Sequence, residues 1–505
     1  MRSVETRIAL IAALSAITGW LLVYSQTIAF TWDEGFHLLA AQLIDAGKRP
    51  YLDFCFPQTP LNAWFTALCL RVIGHSWRTA HAAEALLTAG AVALAAGYVA
   101  RRFEPRAAAG IVAALLFGLN AAVVEFGTLG QAYGLCLFLL VASFRLAVSA
   151  AQRDERWRAA LAGACAGGAA CSSLLTAAAL PVLFVWIGRR RRAAFLAGAV
   201  PAFLPVAWLF LLDPARTWFN IAGFQLFYRR ATWQGPADND LGVLTAWLTS
   251  PQALLLGGLA LAGFAWRRKS DIALCGWLAL GIGAELCLGH PTFTRYFLLV
   301  VPFLAIAAAA GFAELCRRLD WSPSGFRPAA AVSVLVLLGL GRALHDRGDV
   351  YRWSDLEAAA RRVDQIAPAG SAFWTHEHIY FLARRMPPEG LEFSYAASVN
   401  LPDDLAARYH IARERDLGRR ARAGEFAAVA LCEEDELLDQ LGIPPLFRHA
   451  EENEGWQFFW DPAGVHAIER TTPPSTRRAA PLTAEASGLH TNATMDATSA
   501  GVAKR

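Results

Sequence analysis

Apolar runs of about 17–22 residues recur from Ile8 to roughly Leu344, and each is long enough for a helix to cross the hydrocarbon core of a bilayer. Only 17% of the 505 residues are charged and 55% are hydrophobic. A soluble domain averages roughly a quarter charged, so this chain has lipid as one of its solvents. The first run, Ile8–Tyr24, is followed at once by an acidic loop and not by a small-residue cleavage site, which predicts a retained anchor helix.

Hydropathy predicts spans at about 8–26, 80–100, 107–126, 132–150, 159–174, 175–188, 193–212, 251–267, 272–289, 296–316 and 328–345, about eleven in all. Six basic clusters orient them: Arg2/Arg7, Arg101-Arg102 with Arg106, Arg153/Arg156/Arg158, Arg189–Arg192, Arg267-Arg268-Lys269 and Arg317-Arg318. They fall on one side, the cytoplasmic one, only if Leu61–Gly74 lies flat at the interface as an amphipathic helix. The N-terminus is then inside. The outer face carries loop 27–79, the turn Glu125–Gln131, loop 213–250, the turn His290–Tyr296 and everything after about His345.

The net charge of +4 is gathered in these short clusters, not along a continuous basic face, and this excludes a nucleic-acid partner. Nine cysteines form no CxxC or Cys/His metal spacing, and most lie in apolar runs, where Cys acts as a small hydrophobe. Residues 346–468 alternate helix-like stretches (Asp355–Ile366, Asp403–Ala423) with strand-like runs (Ser371–Trp374, Phe426–Leu431, Trp456–Trp460). They predict a small α/β domain outside the membrane. Residues 469–505 are rich in Thr, Ala, Ser and Pro without periodicity and predict a disordered tail. Residues 1–345 form the membrane domain.

The chemistry concentrates in the first outer loop. Thr31-Trp-Asp-Glu-Gly-Phe-His37 sets the adjacent acids Asp33 and Glu34 beside a bilayer surface. Carboxylates there are costly unless they face a watery cavity. Consecutive helical residues point about 100° apart, so one acid faces the cavity while the other caps or supports the helix that follows. His37, Lys48, Arg49, Tyr51, Asp53 and Gln58 share the loop. Glu84, Glu125 and Glu285 lie near the outer ends of their helices and suggest a polar cavity open outward. Trp32, Trp64, Trp77, Trp218 and Trp233 are read as interfacial anchors. His376-Glu-His378 lacks an evident third ligand, and a divalent metal is left open.

The order Trp-Asp-Glu-Gly-x-His, Pro50-Tyr-x-Asp-Phe54, Pro57-x-x-Pro-Leu61 and Arg71-x-x-Gly74 resembles the start of the GT-C glycosyltransferases. It is similar in particular to bacterial relatives of protein O-mannosyltransferases and of lipid A aminoarabinose transferases. His290-Pro-Thr-Phe-Thr-Arg295-Tyr296, followed by a span with Pro302, resembles their late Arg-Tyr…Pro element. The resemblance implies a GT-C-like helical membrane fold, a polyprenyl-phosphate-linked sugar donor on the outer leaflet of a bacterial inner membrane, and Asp33 as catalytic carboxylate with Glu34 beside it. Two departures stand out. The second outer loop reads Glu125-Phe-Gly-Thr-Leu-Gly-Gln131-Ala-Tyr133, without the Asp common there, and the usual lysine near Ser172-Ser173 is missing.

Elementary chemistry points the same way. A transferase facing outward needs a lipid-linked donor, whose phosphate leaving group calls for cations such as Lys48, Arg49, Arg229, Arg230 and Arg295. Asp33 would accept the proton of an attacking hydroxyl in a single, inverting displacement onto a lipid, glycan or protein acceptor. Arg295 and Tyr296, with His290, would meet the donor; Glu125, Gln131, Tyr133 and Glu285 would line the cavity. Two rival classes are a secondary transporter, which usually shows internal repeats and broken midplane helices, and a catalytically inactive membrane assembly protein.

Overall fold

The computed structural model describes residues 2–27, 32–229, 237–266, 270–321, 325–346, 352–399, 401–432 and 434–463; Arg230, Trp233, Arg267-Arg268-Lys269 and the tail 469–505 lie outside them. The chain opens with α1 (Arg2–Ser25), α2 (Trp32–Asp45), α3 (Leu61–Ile73), α4 (Trp77–Arg102), α5 (Arg106–Gly118), α6 (Ala121–Phe126), α7 (Tyr133–Arg153) and α8 (Arg156–Ser172). Further apolar helices follow at Arg189–Leu212, Pro251–Trp266, Ser270–Leu288, Val301–Arg318 and Phe326–His345. Large apolar side chains such as Leu211, Leu338 and Trp208 stay exposed on their outer surfaces, as lipid-facing helices require. The protein is a multi-pass membrane protein.

The expected count of about eleven spans is corrected. Among the described residues six helices have the length and composition to cross a membrane, or seven if the pair Asp240–Thr249 and Pro251–Trp266, bent by 73°, is one broken span. The other four expected windows fail for local reasons. α5 stops after 13 residues, and the chain restarts at Asn120 as the six-residue α6. α8 has 17 residues, and after Ser173 the window 175–188 holds a 3-10 turn and an eight-residue helix. The 296–316 window begins in the 3-10 turn Thr294–Leu299, and its helix carries Glu314, Arg317 and Arg318. Hydropathy registers apolar content but not a change of helix axis. α3, at 13 residues, rises roughly 20 Å, short of the hydrocarbon thickness.

Helix crossings in the bundle rely on small residues. At the contact of α8 with Arg189–Leu212, a Cβ on Gly198 would lie 1.7 Å from the Ala160 carbonyl oxygen, so backbone meets backbone there.

Among the described residues the C-terminal extramembrane domain has four strands, β1 (Phe373–Thr375), β2 (Ala428–Cys432), β3 (Phe447–Asn453) and β4 (Trp456–Pro462), in the order β1-β2-β4-β3. β1 and β2 are parallel, and the other pairs antiparallel. Asn453 pairs with Trp456 across a two-residue turn in which Glu454 and Gly455 both have positive φ, 52° and 78°. This is the twist-matched hairpin geometry. The expected helix 403–423 is divided into Asp403–Arg408 and Glu414–Arg422.

The apolar core has two bodies. One fills the helical bundle. The second joins α2, α3 and the loop around Tyr51–Phe56 to the sheet and helices of the C-terminal domain. Trp77, expected at a lipid interface, is instead buried and stacked on Trp353, with ring centroids 3.7 Å apart and planes within 2°. α2 is thus the plate between bundle and domain, and its N-terminus faces the space between them.

Candidate active site

α2 begins with Asp33 and Glu34 in its first turn, where the partial positive charge of the helix N-terminus favours acids. Their side chains diverge. Glu34 is fully buried; its Oε1 lies 2.5 Å from His81 Nε2 on α4 and accepts the Gly130 N–H at 2.5 Å. The other nitrogen of His81, Nδ1, donates to the Ser25 carbonyl at 2.6 Å. Glu34 therefore fastens α2 to α1, α4 and the turn ahead of α7.

Asp33 faces a small cleft of about 60 Å³. Its Oδ2 accepts a 2.5 Å hydrogen bond from Arg295 Nη2, in a pair whose Arg side chain is 9% exposed and whose Asp side chain is 36% exposed. Arg295 lies in the 3-10 turn Thr294–Leu299, with its guanidinium 4.2 Å from the Phe293 ring centre. Arg229 ends a π-helical segment, Phe219–Arg229, a geometry often found at functional sites. Its Nη1 donates to Gln225 Oε1 at 3.1 Å, and Gln225 in turn donates to the Pro57 carbonyl. The Arg229 guanidinium stands 5.3 Å from the ring centre of Tyr395, which the C-terminal domain contributes.

Burial pulls the Asp33 pKa upward, but the Arg295 and Arg229 charges outweigh it and hold the carboxyl below its usual value. Burial pushes His37 down to about 4 against the opposing pull of Asp33, so its imidazole is neutral at pH 7. His37 Nδ1 has no hydrogen-bond partner among the described residues. Tyr395 is pushed up by burial and stays a hydroxyl donor.

Of the residues singled out in the sequence, Asp33, His37, Gln58, Gln131, Tyr133, Arg229 and Tyr296 line the cleft, and Arg295 reaches it through Asp33. The others stand elsewhere. Arg49 closes an exposed 2.8 Å ion pair with Asp53, and Lys48 beside it is exposed. Tyr51, buried with a φ of 71°, donates from its hydroxyl to the Gln58 carbonyl and shapes the loop. Glu125 sits on α6. Glu285 caps the Ala178 N–H at 2.9 Å, and His290 Nδ1 is held 2.6 Å from Asp240.

The cleft also takes Phe36, Ala132, Ser173, Leu175, Gln225, Phe393 and Tyr395, which the sequence did not mark. Among the described residues no group of three or more His, Cys, Asp or Glu could hold a metal ion. Asp33, flanked by two guanidiniums, is a poor cation ligand. His376 and His378 are buried in the domain, and His376 Nε2 accepts the Cys432 N–H.

The fold is thus a polytopic bundle of apolar helices with an acidic turn at the head of α2 and a C-terminal extramembrane α/β domain docked against it. Among solved structures the chain is similar to ArnT from Cupriavidus metallidurans in the apo state: 15% identity, TM-score 0.60, 91% of this chain and 98% of that one covered. The same protein bound to undecaprenyl phosphate gives TM-score 0.59 at 15% identity, with 90% and 97% covered. The oligosaccharyltransferase of Archaeoglobus fulgidus in the apo form gives 0.51 at 13% identity, over 85% of this chain and 70% of that one. No family profile and no curated protein sequence matches the chain.

Proposed function

We propose that the protein is a membrane glycosyltransferase that moves a sugar from a polyprenyl-phosphate-linked donor to a hydroxyl of a lipid, glycan or protein acceptor. The observation that carries this reading is the cleft at the bundle–domain junction, where one carboxylate, Asp33, meets two guanidiniums, Arg295 and Arg229. The likeness in fold to a protein solved with undecaprenyl phosphate supports the same donor class.

In this reading the donor phosphate docks on Arg229 and Arg295, whose forks suit phosphate oxygens. Once Arg295 turns to the phosphate, Asp33 loses its strongest partner and regains basicity. The acceptor oxygen attacks the anomeric carbon, its proton passes to Asp33, and the bond from that carbon to the phosphate oxygen breaks. Polyprenyl phosphate departs with the electron pair, its charge held by the arginines. One displacement inverts the anomeric centre. Tyr296, Tyr395, Gln58 and Gln131 supply hydrogen bonds for sugar hydroxyls.

Residues 1–345 then form the membrane domain, with 27–79 as its outer loop and interfacial helices, and 346–468 lies on the extracytoplasmic side of a bacterial inner membrane. The test is transfer by the purified protein from radiolabelled polyprenyl-phosphate sugars to membrane-extract acceptors, beside uptake into proteoliposomes. Labelled product supports the transferase. Uptake without transfer would replace it with a transporter.

A further inference from the structure

Toward the end of the bundle away from the cleft, α4, α7 and α8 line an open groove of about 510 Å³. Four arginines surround it: Arg101 on α4, Arg145 and Arg153 on α7, and Arg158 on α8. Arg101 and Arg153 have no ion pair or hydrogen bond among the described residues, and Arg145 donates only to the Leu94 carbonyl, at 3.0 Å. Arg158 alone has an acid, Glu155, at 2.5 Å. Among arginines at the same end that do not line the groove, Arg102 pairs with Asp271, Arg191 with Asp154, and Arg317 and Arg318 share Glu314.

The rest of the groove is apolar. Apart from Ser149, it is lined by Leu94, Phe138, Ala142, Leu146 and Trp157, and among the described residues no carboxylate lines it. α4 and α7 run parallel in fixed register, since a Cβ on Gly90 would touch the Phe138 ring at 3.1 Å and one on Gly97 would lie 3.9 Å from Arg145 Nη1. Phe138 and Arg153 are thus separated by about 22 Å along one helix, most of the hydrocarbon depth. Charge at one end and an apolar track toward the other have the dimensions of a phospholipid.

We propose that this groove binds one anionic glycerophospholipid of the bilayer, with its phosphate on Arg101 and Arg153 and an acyl chain along Leu94 and Phe138. A bilayer lipid is favoured over the polyprenyl phosphate of the transfer reaction because the arginines that would hold the phosphate, Arg101 and Arg153, lie at the far ends of α4 and α7 from the cleft. The site stands whether or not the cleft transfers sugar.

Native mass spectrometry of the delipidated full-length protein, offered phosphatidylglycerol, phosphatidylcholine and polyprenyl phosphate at equal concentration, tests it. Wild type is expected to retain one phosphatidylglycerol in preference to the other two. Arg101→Gln with Arg153→Gln should lower that retention roughly tenfold or more, each arginine contributing a surface-charge attraction. Leu94→Trp, which keeps every arginine but fills the track, should lose it too; Arg318→Gln should not. Equal retention of phosphatidylcholine, preference for polyprenyl phosphate, or an equal loss in Arg318→Gln would each overturn the proposal.

Discussion

Arg295 donates to Asp33 across 2.5 Å, joining two side chains 262 residues apart at the floor of the cleft. The contact holds Asp33 ionised and at the same time occupies it. A phosphate entering the cleft competes for the guanidinium, so one residue both binds the donor and releases the base. Arg295→Lys keeps the charge but loses the fork, and the transfer reading expects KM for the donor to rise roughly tenfold or more. Steady-state kinetics over donor concentration measures it. A KM unchanged in Arg295→Lys and Arg295→Gln alike removes Arg295 from the phosphate site.

Glu34 is expected to matter for stability and not for chemistry. Glu34→Ala leaves His81 Nε2 and the Gly130 N–H without their buried partner, a loss of about 1–3 kcal/mol for each buried polar group left unsatisfied. Thermal unfolding in detergent should fall sharply, while turnover per folded molecule stays within a few-fold. Unchanged stability with lost turnover would move Glu34 into the reaction.

The stacked pair Trp77–Trp353 locks α4 to the C-terminal domain. Trp353→Ala removes a contact worth about 0.5–1.5 kcal/mol beyond the area it buries. The domain should then become more open to limited proteolysis before the bundle melts. Identical digestion of wild type and variant would show that the domain is held elsewhere.

His37 gives stability a pH dependence of known sign. Its folded pKa, about 4, lies below the ordinary 6.5, so between these values the unfolded chain binds a proton that the folded chain refuses. The His37 contribution is fully present above pH 6.5 and is lost as pH falls toward 4. His37→Gln should flatten the unfolding midpoint over that window, as differential scanning of both proteins would show. Parallel curves would mean that His37 titrates normally.

What the sequence disclosed was mostly local. Two consecutive acids at the head of a helix had to diverge, and they do. The Lys48-Arg49-Asp53 cluster looked like binding chemistry because spacing alone does not reveal that Arg49 closes on Asp53 four residues away in the open. Arg295 and Asp33 were each marked, but their pairing across the chain had no local signal. Phe393 and Tyr395 enter the cleft only because the C-terminal domain docks on α2, and no periodicity encodes that docking. β3 went unmarked because Glu454-Gly455 is not one of the usual two-residue hairpin pairs, although both residues take the positive φ that such a turn needs. The span count failed at Asn120, Ser173 and the turn Thr294–Leu299, where apolar sequence continues but the regular α-helix does not.

The most direct test of the central claim compares wild type with Asp33→Asn in a single-turnover transfer assay using a radiolabelled polyprenyl-phosphate sugar. Asparagine keeps the shape but cannot take the acceptor proton, so the rate should fall by about 10²–10⁴ while donor binding persists. Equal turnover in the two proteins would contradict the account.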